Sequence, residues 1–126
     1  DLVKPGVHGS TFGGNPLAAY IAPKAIDIIL EENLLENAVK MGKLFRDELQ
    51  KKNDLLISDV RGVGLLNAVE FINDNVAETF VENCMKNGLL SKVTKNSTVR
   101  MCPPLVINNR EMENSLDIIF KSINQI

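Results

Sequence analysis

The sequence has no tryptophan, one tyrosine, one histidine and two cysteines among its 126 residues. The cysteines, Cys84 and Cys102, are too few for a disulfide scaffold and lack CxxC spacing. A lone His8 leaves a zinc site almost without ligands, and it offers no basis for a Ser-His-Asp set. Charge of either sign is in short surplus, with 14 basic against 16 acidic residues and a formal net charge of −2. Nothing in that balance draws the chain to nucleic acid or to an anionic membrane, so neither is expected as a partner. No apolar run reaches bilayer-spanning length, and HExxH and paired-carboxylate motifs are absent. The chain opens at Asp1 with no Met and no charged-then-apolar leader. No targeting signal is therefore expected, and the chain reads as a piece of something longer. Reduced, unpaired cysteines make the cytoplasm the expected compartment, with the mitochondrial matrix as the alternative.

What is present is an ordinary globular composition, 44% apolar and 24% charged, at a length that allows one domain and hardly two. Residues 1–16, DLVKPGVHGSTFGGNP, carry four glycines and two prolines and read as a loop. Asn15-Pro16 then reads as a helix start, since Asn caps and Pro at the first helical position loses no needed N–H. Leu17, Ile21, Ala25, Ile28 and Ile29 continue at helical spacing to about Glu32. Pro23 lies inside that stretch and predicts a kink or a late start. Asn33 with Glu36 predicts a capping box for a second helix, whose apolar face is read as Leu35, Ala38, Val39, Gly42, Phe45 and Leu49.

Residues 55–60 and 65–72 look extended, with a turn at Arg61-Gly62-Val63-Gly64 between them. A third helix is expected over 75–87, with Phe80 and Cys84 inward and Gly88 as its left-handed stop. Short strands at 89–93 and 98–101 flank a polar turn at 94–97, and Pro103-Pro104 ends the second. The last helix begins near Asn109 and turns Met112, Leu116, Ile119 and Ile123 to one face. Helices and short strands interleave without regular βαβ spacing, which predicts an α+β layer structure: a small antiparallel sheet covered by helices.

Two features carry chemistry. His8-Gly-Ser-Thr-Phe-Gly-Gly-Asn-Pro16 combines backbone N–H groups freed by glycine, the Ser10 and Thr11 hydroxyls, and an immediate helix start, a combination suited to a phosphate. The plain alternative is a connection capped by Asn15. It is not a Walker A loop, because Asn15-Pro16 stands where Lys-Ser/Thr is required. Arg61-Gly62-Val63-Gly64 is one glycine short of a dinucleotide fingerprint and leads into a strand, so a tight turn is expected instead. Arg100, in the apolar strand Thr98-Val-Arg-Met101, reads either as an edge residue with a salt-bridge partner or as a bidentate fork for a carboxylate, held by the prolines behind it. Cys84 reads as core filler and His8 as a solvated loop residue.

The blocks His8–Leu17, Glu32-Asn-Leu34, Val60–Ala68, Gly88-Leu-Leu90 and Val99–Ile107 together resemble the class III pyridoxal-phosphate aminotransferases. Within that class the likeness is nearest to the members acting on ornithine, with those acting on acetylornithine as the near rival. The likeness covers the family's C-terminal part. It implies the small C-terminal domain of a fold-type I transferase over residues 33–126, preceded over 1–32 by the end of the large domain. It implies pyridoxal 5'-phosphate as cofactor, with Ser10 and Thr11 reaching the phosphate held by the neighbouring subunit of a homodimer or larger assembly. It implies that Arg100 binds the α-carboxylate of glutamate or 2-oxoglutarate. The implied reaction moves the δ-amino group of ornithine to 2-oxoglutarate, giving glutamate semialdehyde and glutamate. The Schiff-base lysine is implied upstream of Asp1, so no catalytic residue is expected here and the chain alone is expected to be inactive. Three positions depart from the family pattern: Val63 for a usual lysine, Val93 for a common proline, and Pro23 within a helix normally unbroken. Two readings outside the family are a free-standing phosphate-binding module and a purely structural interaction domain.

Overall fold

A computed structural model describes Lys4 and residues 6–126. The chain divides into two compact units, the first ending at Asn33 and the second running from Leu34 to Ile126. In the first, the glycine-rich loop leads into helix α1, Pro16–Glu31. Asn15 caps it as expected: its side-chain oxygen accepts the Ala18 N–H at 3.1 Å, and Pro16 takes the first position. The late start suggested by Pro23 does not occur. Helix α1 passes through Pro23, which has no N–H to give the Ala19 carbonyl. Asn33 corrects a second expectation. It adopts φ +51° and donates its N–H to the Leu30 carbonyl, so it closes α1. An N-cap needs a non-helical, typically extended backbone, so a left-handed Asn33 does not form the box with Glu36.

The second unit contains α2 (Leu34–Lys52), β1 (Ile57–Val63), β2 (Leu66–Phe71), α3 (Asp74–Lys86), β3 (Lys92–Lys95), β4 (Thr98–Met101) and α4 (Asn109–Ile123). The strands form one antiparallel sheet in the order β1-β2-β4-β3. Strand β1 begins later than expected because Asp54 closes a turn first, accepting the Leu56 N–H on its side chain and the Ile57 N–H on its carbonyl. Arg61 and Gly62 belong to β1, and the reversal is the two-residue turn Gly64-Leu65, with Gly64 at φ +53°. Helix α3 starts on an Asn73 cap and stops as expected at Gly88, φ +93°. There the Gly88 N–H reaches the Met85 carbonyl and the Leu89 N–H reaches the Cys84 carbonyl, both helix-closing bonds. That use of Leu89 explains why β3 begins at Lys92 rather than at residue 89. Helix α4 carries a complete capping box between Asn108 and Glu111.

Antiparallel register places Val60, Val69, Val99 and Val93 in one row across the sheet, facing the core. Phe71 and Phe80 pack on that face with ring centroids 4.7 Å apart. Helix α4 contributes Met112, Leu116, Ile119 and Ile123, as its spacing predicted. Helix α2 contributes Leu34, Ala38, Met41, Phe45 and Leu49, whereas Leu35 and Val39, expected inward, are exposed. The two stripes share Ala38, Gly42, Phe45 and Leu49; the one that adds Leu34 and Met41 to them is the one buried against the core.

One contact fixes α2 against the sheet. Gly42 lies so close to the β1–β2 turn that a Cβ there would stand 1.7 Å from the Gly64 carbonyl oxygen. One turn on, Arg46 donates from Nη1 to that same oxygen at 2.9 Å and to Asn67 Oδ1 at 2.5 Å. Gly42→Ala should therefore destabilise the protein, although alanine favours a helix by about 1 kcal/mol. Forcing an atom against backbone costs on the order of 1–3 kcal/mol or more. Urea unfolding should show a lower midpoint at unchanged slope; a higher midpoint would mean that the helix sets its own distance from the turn.

Candidate functional site

The glycine-rich loop lies in the first unit. Between His8 and the Asn15 cap the chain bends at Thr11-Phe12 and turns at Gly13-Gly14, with the Asn15 N–H returning to the Phe12 carbonyl at 3.2 Å. Gly14 takes φ +76°, a conformation open to glycine at little cost. Gly13 and Ser10 sit close together; a Cβ on Gly13 would approach Ser10 Cβ to 3.1 Å. Ser10 and Thr11 are both exposed, directly ahead of α1. The first turn of α1 carries no acidic side chain. Its amide groups thus add positive potential without a competing carboxylate. Two hydroxyl donors, glycine amides and an unopposed helix start form a donor set that fits a phosphate group. His8 is exposed in the same loop.

Arg100 lies in the second unit, on the sheet face opposite the valine row. Register puts Arg61, Ala68, Arg100 and Lys92 in one row across all four strands on that face. The neighbouring row is Asp59, Glu70, Thr98 and Lys95. Arg61 is neutralised, with Nη1 2.6 Å from Asp59 and 2.6 Å from Glu70. Those carboxylates, Asp59 foremost, hold its guanidinium above the ordinary arginine value. Arg100 differs in both respects from the edge-residue reading. Its strand lies between β2 and β4's other neighbour β3, inside the sheet. Among the described residues it has no carboxylate within salt-bridge distance, and the same holds for Lys92. Both line an open depression of about 250 Å³ together with Leu90, Ser91 and Cys102. The Ser91 hydroxyl is buried without a hydrogen-bond partner.

The fork expected of Arg100 is thus exposed, backed by β-ladders on two sides, and followed by Pro103 and Pro104. Lys92 escaped the sequence reading, because the pairing of residue 92 with residue 100 across the β3–β4 hairpin depends on a turn placed at 96–97. Cys84 is core filler as expected: it is fully buried, and desolvation pushes its thiol upward against a weaker opposing effect from Ser122. Cys102 is exposed beside Arg100. No group of histidine, cysteine and acidic residues among the described ones could hold a metal ion.

Comparison with known proteins matches this architecture from end to end. The family model for aminotransferase class-III matches residues 1–123. The chain is similar to the mitochondrial ornithine aminotransferase of Drosophila melanogaster, 47% identical over 121 residues, covering 96% of this chain and 28% of that protein. The chain therefore spans under a third of the length of that relative. Among solved structures it is similar to an acetylornithine aminotransferase from Elizabethkingia anophelis, with TM-score 0.86 and 43% identity over 100% of this chain and 34% of the other. It is also similar to an ornithine aminotransferase from Toxoplasma gondii, with TM-score 0.84 and 40% identity over 100% and 31%. That crystal is described as having partial occupancy of PLP at its active site. The expected α+β architecture, a short antiparallel sheet under helices as in fold-type I aminotransferases, is the one observed. By the family match over almost its whole length and by these likenesses, the chain belongs to the class III aminotransferases.

Proposed function

We propose that the full-length protein is a pyridoxal-phosphate-dependent aminotransferase that moves the δ-amino group of ornithine to 2-oxoglutarate, giving glutamate semialdehyde and glutamate. The observation that carries this reading is the 47% identity, across 96% of the chain, to a protein named ornithine aminotransferase. A second reading, with acetylornithine as amino donor, is favoured by the acetylornithine aminotransferase at 43% identity. Comparing turnover of ornithine with that of N-acetylornithine by the full-length protein separates them. The compartment reading keeps the cytoplasm first and the mitochondrial matrix second. The mitochondrial name of the fly relative supports the second. No helix among the described residues is long and apolar enough to cross a membrane.

In this reading residues 1–32 end the large domain and residues 33–126 form the small one. Pyridoxal phosphate, when bound, supplies the electron sink for moving the amino group. The loop's part is to hold. Ser10 and Thr11 donate hydroxyl hydrogen bonds to the phosphate belonging to the neighbouring subunit, which makes a homodimer or larger assembly part of the active site. Arg100's part is to orient. Its guanidinium stays charged at any working pH and presents two parallel donors to the α-carboxylate of glutamate or 2-oxoglutarate. A strand paired on both edges leaves that fork little freedom to lose on binding. No proton-transfer role is assigned within residues 1–126.

Two outcomes follow for the full-length enzyme. A hydrogen bond to a charged phosphate contributes about 1.5–3 kcal/mol. Thr11→Ala should therefore weaken cofactor binding by roughly 10- to 100-fold. Cofactor release from the intact assembly measures it, and unchanged affinity would remove Thr11 from the phosphate site. Arg100→Lys keeps the charge and loses the fork, so single-turnover kinetics should show a larger loss with 2-oxoglutarate and glutamate than with ornithine. Equal losses in both half-reactions would make Arg100 a structural residue.

A further inference from the structure

Like charges placed directly opposite one another in a β-ladder destabilise the pair. Lys92 and Arg100 are such partners, across β3 and β4 and on the same exposed face. The third cation of their row, Arg61, shows how this sheet treats a charge that needs no ligand: two carboxylates meet it, from Asp59 and Glu70. Neither Lys92 nor Arg100 has an acidic partner within salt-bridge distance among the described residues. Two adjacent cations left unneutralised at the wall of one depression create a local positive potential that an anion relieves. Beside them Ser91 keeps a hydroxyl with no partner.

We propose that Lys92 is a specificity-determining residue that acts with Arg100 to favour the doubly anionic amino acceptor over the cationic amino donor. The inference rests on the assignment of Arg100 to substrate carboxylate. 2-Oxoglutarate carries two carboxylates and no ammonium group. Ornithine carries one carboxylate and two ammonium groups, a net charge of +1. A second cation beside Arg100 attracts the first molecule and repels the second, and the two effects multiply in the ratio of their kcat/KM values. Lys92 is exposed on a flexible stem, so its contribution is through-space charge and is screened by salt.

The experiment uses the full-length holoenzyme and measures each half-reaction separately for Lys92→Gln, Lys92→Arg and Arg100→Gln. For Lys92→Gln the ratio of kcat/KM for 2-oxoglutarate to that for ornithine should fall about 3- to 10-fold at low ionic strength. The fall should shrink toward 0.5 M salt, on the order of a 4 Å screening length. Lys92→Arg, which keeps the charge, should hold the wild-type ratio. An unchanged ratio in Lys92→Gln, or a fall that salt does not reduce, overturns the role given to Lys92. Arg100→Gln distinguishes the two levels of the argument. If it cripples the 2-oxoglutarate half-reaction while Lys92→Gln leaves the ratio alone, only Lys92 has been misassigned. If Arg100→Gln spares that half-reaction, the carboxylate reading of Arg100 fails and the inference fails with it.

Discussion

The close approach of α2 to the β1–β2 turn is the constraint on which the second unit depends. Two backbones meet there with no side chain between them, because Gly42 has none to interpose. Such an approach takes polar atoms away from water, and Arg46 meets two of them by donating to the Gly64 carbonyl and to Asn67 Oδ1, while Asn67 Nδ2 is left buried without a partner. Gly62 also lies close to this cluster; a Cβ on it would lie 2.5 Å from Asn67 Oδ1. The helix therefore docks at one height along the hairpin.

From the register of the strands come two surfaces of opposite character. One row of paired residues is four valines, and the adjacent row is Arg61, Ala68, Arg100 and Lys92. The hydrophobic row holds helices α2, α3 and α4 through the core, while the charged row faces outward. On the charged face only β2 and β4 have neighbours on both edges, so the backbone under Arg100 is held by a ladder on each side and by the core beneath, while Arg61 and Lys92 sit on the edge strands. In the first unit, order at Ser10 and Thr11 has a different origin: local turns, a left-handed Gly14 and the Asn15 cap.

Much of this was legible in the sequence because it is written locally. The Asn15-Pro16 start, the Gly88 stop and the apolar stripe of α4 depend on residues within a turn or two of one another, and all three stand as read. What failed was decided at a distance or by rival local signals. Asn33 looks like an N-cap from the sequence, yet its left-handed backbone ends the helix before it. Leu35 and Val39 complete the Ala38–Phe45–Leu49 stripe as well as Leu34 and Met41 do until a sheet lies on one side of α2. Arg61-Gly-Val-Gly64 reads as one long turn, but three of its four residues are strand, since Gly62 is called for by the closeness of Asn67 rather than by any bend. From its own strand Arg100 reads either as an edge residue or as a carboxylate fork, and motif likeness is what favours the fork. Its place inside the sheet, and the lysine opposite, follow from strand order, which no local pattern records.

The two-residue turn at Gly64-Leu65 has an evolutionary consequence. Side chains along a strand alternate with period two, so losing or gaining one residue there would carry every later β2 side chain to the other face. Val69 would be offered to solvent and Ala68 and Glu70 to the core in a single step. Neither surface could drift in register while the other stayed behind, so this hairpin admits change by substitution and resists change in length, whereas the loop ahead of α1 is under no such coupling.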